Sequence, residues 1–118
     1  LREVCVMAYT EPVDKLDTHT LNISRALTSL KEEIEAIDWY NQRVDASDDA
    51  ELKAIMAHNR DEEIEHATML IEWLRRNMDK WDGELKDYLF TTAPITELEG
   101  QAADDGEAKP GLNIGNLK

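Results

Sequence analysis

Apolar residues recur every three or four positions between about Asp17 and Arg43, which is the spacing of one face of an amphipathic α-helix. The stripe comprises Ile23, Ala26, Leu27, Leu30, Ile34, Ile37 and Tyr40. Successive helical residues are rotated by about 100°, so Glu33 falls within this stripe, between Leu30 and Ile37. Three neighbours instead point away from the stripe, namely Glu32, Glu35 and Trp39.

A second helical pattern begins near Asp49, after a short polar connection in which Ser47 and Asp48 are the N-cap candidates. Its apolar stripe comprises Leu52, Ile55, Met56, Ala67, Leu70, Trp73, Leu74 and Trp81. Glu63 lies near the centre of this stripe and His66 lies one turn later at its flank. The acidic residues predicted to face the opposite side are Asp61, Glu65 and Glu72.

The pattern changes after Asp82-Gly83. ELKDYLF predicts a short third helix that packs through Phe90 and its apolar neighbours, and Pro94 ends it. The following residues are small and acidic and have no periodicity, as is typical of a flexible linker. The final stretch, GLNIGNLK, carries isolated apolar residues: Leu112, Ile114 and Leu117. They suggest a peptide that docks on a partner, and a frayed terminus without function explains them about equally well.

We therefore predict an all-α fold. Residues 1–16 form an N-terminal segment that we expect to be disordered, and residues 17–93 form an antiparallel two-helix hairpin with a short third helix. Residues 94–110 are the flexible acidic linker, and residues 111–118 are the docking peptide. A chain of 118 residues is long enough for one domain with a modest core.

The excess of acidic residues limits the kinds of partner that the chain is expected to bind. The chain has 26 acidic and 13 basic residues and a net charge of -13, which argues against nucleic acid or an anionic membrane and favours cations. The single cysteine, Cys5, cannot form an internal disulfide bond. No secretory signal pattern and no apolar run of membrane-spanning length is present, so a cytoplasmic location is expected.

Glu33, Glu63 and His66 suggest a metal site. A carboxylate turned into an apolar interface must be neutralised by a proton, a basic partner or a metal ion, and neither stripe contains Lys or Arg. Glu63 and His66 form an E-x-x-H motif on one helical face. Carboxylate oxygen together with imidazole nitrogen suits iron, manganese or zinc better than calcium or copper(I).

These three residues supply half of the ligands of a known class of two-metal site. Di-iron carboxylate bundles take a glutamate from each of two helices and E-x-x-H from each of two others. This chain has two long helices, one such glutamate and one such motif. We therefore expect a twofold dimer that completes a ferritin-like four-helix bundle, with metal binding linked to dimerisation.

The chain resembles encapsulated ferritin, the iron-oxidising cargo of encapsulin shells, from roughly Thr20 to Thr96. The matching motifs are KEEIEAIDWYNQRVDASDDAEL, AHNRDEEIEHA, EWLRRN and YLFTTAPIT, and the tail GLNIGNLK resembles an encapsulin-targeting peptide. The resemblance implies a dimer with a di-iron centre, a ring of five dimers, and a ferroxidase that delivers iron for mineral storage inside an encapsulin nanocompartment. Zinc, manganese or calcium would substitute for iron in crystals.

The resemblance also implies residue roles. Glu33, Glu63 and His66 match the ferroxidase ligands, and Tyr40 matches a tyrosine close to the iron. Glu32, Glu35 and Trp39 match a path by which metal reaches the centre. His58, Glu62 and Glu65 match a peripheral metal site, although a solvated face explains these three nearly as well. Two other functions stay open: a di-iron cargo protein that removes peroxide or oxygen, and a helical adaptor without enzymatic activity.

Overall fold

A computed structural model describes residues 9–100 of the chain. Within that range lie a 3-10 turn at Val13–Lys15 and the α-helices α1 (Thr18–Ala46), α2 (Ala50–Asn77) and α3 (Asp79–Tyr88). Residues 95–100 are also helical, and no β-strand occurs between residues 9 and 100. The structure therefore confirms the predicted all-α class, the packing of the two long helices against each other, and the presence of shorter helices.

The connection between α1 and α2 is only three residues long, so the two helices pack antiparallel as a hairpin. Asp49 caps α2, because its Oδ1 accepts the backbone N–H of Leu52 at 2.8 Å. The prediction that Ser47 or Asp48 caps the N-terminus of α2 was therefore wrong. Ser47 instead closes α1 by donating its hydroxyl to the carbonyl oxygen of Arg43 at 2.6 Å, and Asp48 lies between these two residues.

Burial along the hairpin is uneven. The buried side chains are Ile23, Ala26 and Leu30 of α1 and Ala67 and Leu74 of α2, all toward the end of the hairpin that lies away from the connection. No side chain between residues 34 and 62, in the half toward the connection, is buried. Large exposed apolar side chains occur there and elsewhere on the hairpin: Ile34, Trp39, Leu52 and Ile55 toward the connection, Ile64 beside Glu63, and Leu27 and Met69 in the other half. Glu33 and Glu63 lie at the boundary between these two halves.

The break after α2 lies at Met78 and not at Asp82-Gly83, so Trp81 belongs to α3 and not to the stripe of α2. Met78 has extended backbone torsions, with φ −142° and ψ 104°. Helix α3 includes Gly83, and two ion pairs of 3.0 Å each span one of its turns. The pairs are Lys80 with Glu84 and Lys86 with Asp82.

The described residues divide into two units between Asn77 and Met78, and the second unit differs from expectation in two places. Phe90 has a positive φ of 61° and is fully exposed, so it ends α3 in a left-handed conformation instead of packing. Residues 95–100, within the predicted linker, are helical and follow Pro94, whose carbonyl accepts the N–H of Glu97 at 3.0 Å. Leu98 of this helix is buried.

None of the helices between residues 9 and 100 is both long enough and apolar enough to cross a lipid bilayer.

Candidate metal centre

The hairpin brings the E-x-x-H motif of α2 beside the lone glutamate of α1. Glu33 lies 14 residues before Ser47 and Glu63 lies 14 residues after Asp49. Because both helices rise by the same amount per residue, an antiparallel hairpin places these two glutamates at the same level. His66 follows one turn later on the same flank of α2.

One ligand atom from each of Glu33, Glu63 and His66 lies within 4.8 Å of the other two. The Nδ1 atom of His66 is 3.3 Å from Oε1 of Glu63 and 3.5 Å from Oε1 of Glu33. All three side chains are partly exposed, at 23% for Glu63, 26% for Glu33 and 43% for His66. The group therefore lies open on the surface of the hairpin.

The three groups alter one another's protonation. A hydrogen bond with Glu63 raises the pKa of Glu33, and partial burial and the charge of Glu63 act in the same direction. The same hydrogen bond lowers the pKa of Glu63. The pKa of His66 is raised by its hydrogen bond to Glu63 and by the charges of both glutamates. Ionisation of one carboxylate thus makes ionisation of the other less favourable, and their negative charge favours the protonated form of the imidazole.

The donor set fits a transition-metal ion. Ligand atoms at about 2.1 Å from one ion lie about 3.0–3.4 Å apart in tetrahedral or octahedral geometry. The separations of 3.3 Å and 3.5 Å from His66 Nδ1 are close to that range. An ion would bind the carboxylates and the imidazole in their deprotonated forms, as metal ligands do.

Tyr40, predicted to lie close to the metal, is half-buried and lies two turns beyond Glu33 on α1. The guanidinium carbon of Arg43 lies 5.3 Å from the centre of the Tyr40 ring, a cation–π contact. Arg43 follows Tyr40 by three residues, so it contacts the ring on the side nearer the connection between α1 and α2.

The other predicted site residues lie outside the group of Glu33, Glu63 and His66. Glu32, Glu35 and Trp39 are exposed on α1, as the sequence pattern indicated. His58, Glu62 and Glu65 are exposed on α2, and within residues 9–100 they do not form a second group of three close ligand atoms. Leu112, Ile114 and Leu117 lie outside the described residues.

Sequence reasoning missed a contact near the group. Nη1 of Arg60 on α2 donates to Oδ1 of Asn41 on α1 at 3.0 Å. The two residues are 19 positions apart, so no local motif indicates their pairing. The only sequence signal is that each lies at the margin of its stripe, where the two helices face each other.

Comparisons with known proteins agree with this architecture. The family model described as EncFtn-like matches residues 8–92. The chain is 53% identical to the "Encapsulated ferritin-like protein" of Rhodospirillum rubrum, covering 92% of this chain and 86% of that protein. It is 40% identical to the "Encapsulin nanocompartment cargo protein EncC" of Myxococcus xanthus, covering 70% of this chain and 64% of that protein.

The fold also matches a solved structure. A crystal structure of a protein from Nitrosomonas europaea superposes with a TM-score of 0.72 at 61% sequence identity, covering 74% of this chain and 96% of that one.

Proposed function

Because the chain belongs to the EncFtn-like family of encapsulated ferritin-like proteins, we propose that it is a ferroxidase that oxidises Fe(II) at a site completed by a second copy. The observation that carries this proposal is the group of Glu33, Glu63 and His66, within 4.8 Å of one another on the open face of the hairpin. Carboxylate and imidazole ligands on facing helices are the donor set of ferritin-like di-iron centres.

A second copy supplies what one hairpin lacks. Three protein ligands leave the coordination of one ion incomplete, whereas a twofold dimer brings together two copies each of Glu33, Glu63 and His66. Four carboxylates then balance the charge of two Fe(II) ions. In this arrangement Glu63 of each copy would be the carboxylate shared by the two ions, and Glu33 and His66 would complete the protein ligands of each.

The exposed apolar side chains near the site support the dimer. Ile34 is 54% exposed and Ile55 is 50% exposed, although both lie on the stripes that periodicity predicts to be buried. Full burial of one such side chain contributes about 1.5–3 kcal/mol. A partner that covers this half of the hairpin would bury these side chains and bring its own ligands to the site. We propose that five such dimers form a ring.

The reaction balances with dioxygen as the oxidant. Two Fe(II) ions each lose one electron, and one O₂ takes up both electrons with two protons and leaves as hydrogen peroxide. We propose that Tyr40 lies beside the two reacting Fe(II) ions. We assign the exposed Glu32, Glu35 and Trp39 to the route by which Fe(II) reaches the centre.

We also propose a peripheral metal site on one exposed face of α2, with His58, Glu62 and Glu65 as its ligands. These residues form no close ligand group within residues 9–100, and a solvated face explains them nearly as well.

Storage of the product must take place elsewhere, because a two-helix hairpin encloses no mineral cavity. Two relatives are named as encapsulated or as encapsulin cargo. We therefore propose that this chain works inside an encapsulin compartment in the cytoplasm, and that residues 111–118 bind the shell. Leu112, Ile114 and Leu117 are the apolar side chains of that peptide.

Oxygen consumption during Fe(II) oxidation tests the activity. Anaerobic Fe(II)-loaded protein is mixed with dissolved O₂, and Fe(III) absorbance and O₂ uptake are recorded together. A ferroxidase gives rapid Fe(III) formation with about two Fe(II) oxidised per O₂. Faster oxidation by peroxide than by O₂ would favour a peroxide-removing protein, and the rate of buffer alone would favour an adaptor.

A further inference from the structure

Arg60 connects the two long helices at a point separate from the metal-ligand group. Its Nη1 donates to Oδ1 of Asn41 on α1 at 3.0 Å, and its Nε donates to Oδ1 of Asp61 on α2 at 3.1 Å. The Arg60 side chain is 28% exposed, so most of its length lies against the protein. The guanidinium is therefore held from α1 and α2 at once.

The Arg60–Asn41 contact runs diagonally across the hairpin. Asn41 lies six residues before Ser47, whereas Arg60 lies eleven residues after Asp49. At a rise of about 1.5 Å per residue, the Arg60 backbone is about 7.5 Å farther from the connection than that of Asn41. The long arginine side chain spans this offset.

An offset pair of residues responds to sliding differently from a level pair. If α2 slides along α1, the axial offset that the Arg60 side chain must span changes by the same distance. Glu33 and Glu63 lie at equal distances from the connection, so the distance between their backbones changes little when sliding begins. The donor from arginine is charged, which makes this hydrogen bond stronger than one between neutral groups.

We infer that the hydrogen bond from Arg60 to Asn41 fixes the axial register of α1 and α2, and thereby sets the spacing of Glu33 from Glu63 and His66. Arg60 and Asn41 are positioning residues of the metal centre, and the inference rests on the proposed metal site. Register matters because ligand distances must match within about 0.2 Å. Groups that orient metal ligands typically change affinity or activity by about 10–100-fold.

Cobalt(II) binding to the full-length, metal-free protein tests this role, because its visible absorption reports the geometry of its ligands. We expect Asn41→Ala and Arg60→Met each to raise the Kd for Co(II) by about 10-fold and to alter the band shape. Asn41→Asp, which keeps the acceptor oxygen, should retain wild-type affinity. Gln42→Ala is the matched control, because Gln42 donates to Asp38 within α1, at 3.0 Å.

The double variant shows whether the two residues act through one bond. Asn41→Ala combined with Arg60→Met should bind Co(II) no more weakly than either single variant, since both remove the same contact. Far-ultraviolet circular dichroism accompanies each titration, and Arg60→Met decides the matter if Asn41→Ala loses its helical signal. Wild-type Co(II) affinity and spectrum in Arg60→Met, or independent losses that add, would overturn the positioning role.

The outcome is separable from that of the proposed function. If Glu63→Ala binds Co(II) as tightly as the wild type, the metal site itself is wrong. If Glu63→Ala abolishes Co(II) binding while Asn41→Ala and Arg60→Met match the wild type, the metal site stands and the positioning role is rejected.

Discussion

Nδ1 of His66 on α2 lies 3.5 Å from Oε1 of Glu33 on α1. This contact crosses the hairpin and joins the E-x-x-H motif to a glutamate that sequence distance alone does not relate to it. Glu63 lies 3.3 Å from the same nitrogen, so one imidazole faces a carboxylate from each helix. A metal bound here would therefore tie α1 to α2 as well as carry out chemistry.

Removal of a ligand should abolish rapid iron oxidation. We expect His66→Ala and Glu63→Ala each to slow Fe(II) oxidation under air by at least about 100-fold, because each removes a ligand of the proposed metal site. The ultraviolet absorbance of Fe(III) species measures the rate. His19→Ala and Glu51→Ala, which change the same residue types at exposed positions, serve as controls. Wild-type rates in both ligand variants would contradict the site assignment.

Metal binding should promote dimerisation. In a metal-free dimer the like-charged carboxylates of the two copies repel one another, whereas a bound divalent ion neutralises them. Metal binding and dimerisation are therefore linked equilibria. Zn(II) or anaerobic Fe(II) should shift the sedimentation coefficient from monomer toward dimer and ring. Glu33→Ala should lose this shift. A distribution of species that is identical with and without metal would exclude a site between two copies.

The C-terminal peptide should direct loading into the shell. Deletion of residues 111–118 is expected to remove the protein from purified shells when encapsulin is co-expressed, while Fe(II) oxidation by the free protein stays unchanged. Replacing Leu112, Ile114 and Leu117 by Ser in the full-length chain should have the same effect if apolar docking is responsible. Copurification of the shortened chain inside shells would show that another segment contains the targeting signal.

Glu72 should make the stability of the hairpin depend on pH. Hydrogen bonds from Arg75 and Arg76 lower the pKa of Glu72 from 4.5 to about 2, so its stabilisation is complete above about 4.5. It is lost progressively as the pH falls toward 2. The stability difference between wild type and Glu72→Gln, from urea unfolding at a series of pH values, should therefore shrink on acidification. A difference that stays constant from neutral pH to pH 3 would contradict this pairing.

The sequence predicted the grouping of Glu33, Glu63 and His66 because helical periodicity fixes which side of a helix each residue occupies. It did not predict the break at Met78, since Trp81 follows Leu74 at a spacing of seven and continues the apolar stripe. Gly83 gave the wrong boundary because a helix tolerates one glycine at a cost of about 1 kcal/mol.

Other features depend on tertiary geometry that periodicity does not encode. The Arg60–Asn41 hydrogen bond joins residues that are 19 positions apart on different helices, which the periodicity of one helix does not relate. Helical periodicity likewise did not predict that Ile34 and Ile55 are exposed. Their apolar character predicts burial, but a single hairpin has no surface to cover them.

The most direct test of the central claim is a crystal structure of the iron-loaded protein with anomalous scattering measured at the iron edge. We predict two anomalous peaks at a twofold interface, each within bonding distance of Glu33, Glu63 and His66 side chains drawn from two copies. Peaks confined to His58, Glu62 and Glu65, or ions held within one copy alone, would contradict the account.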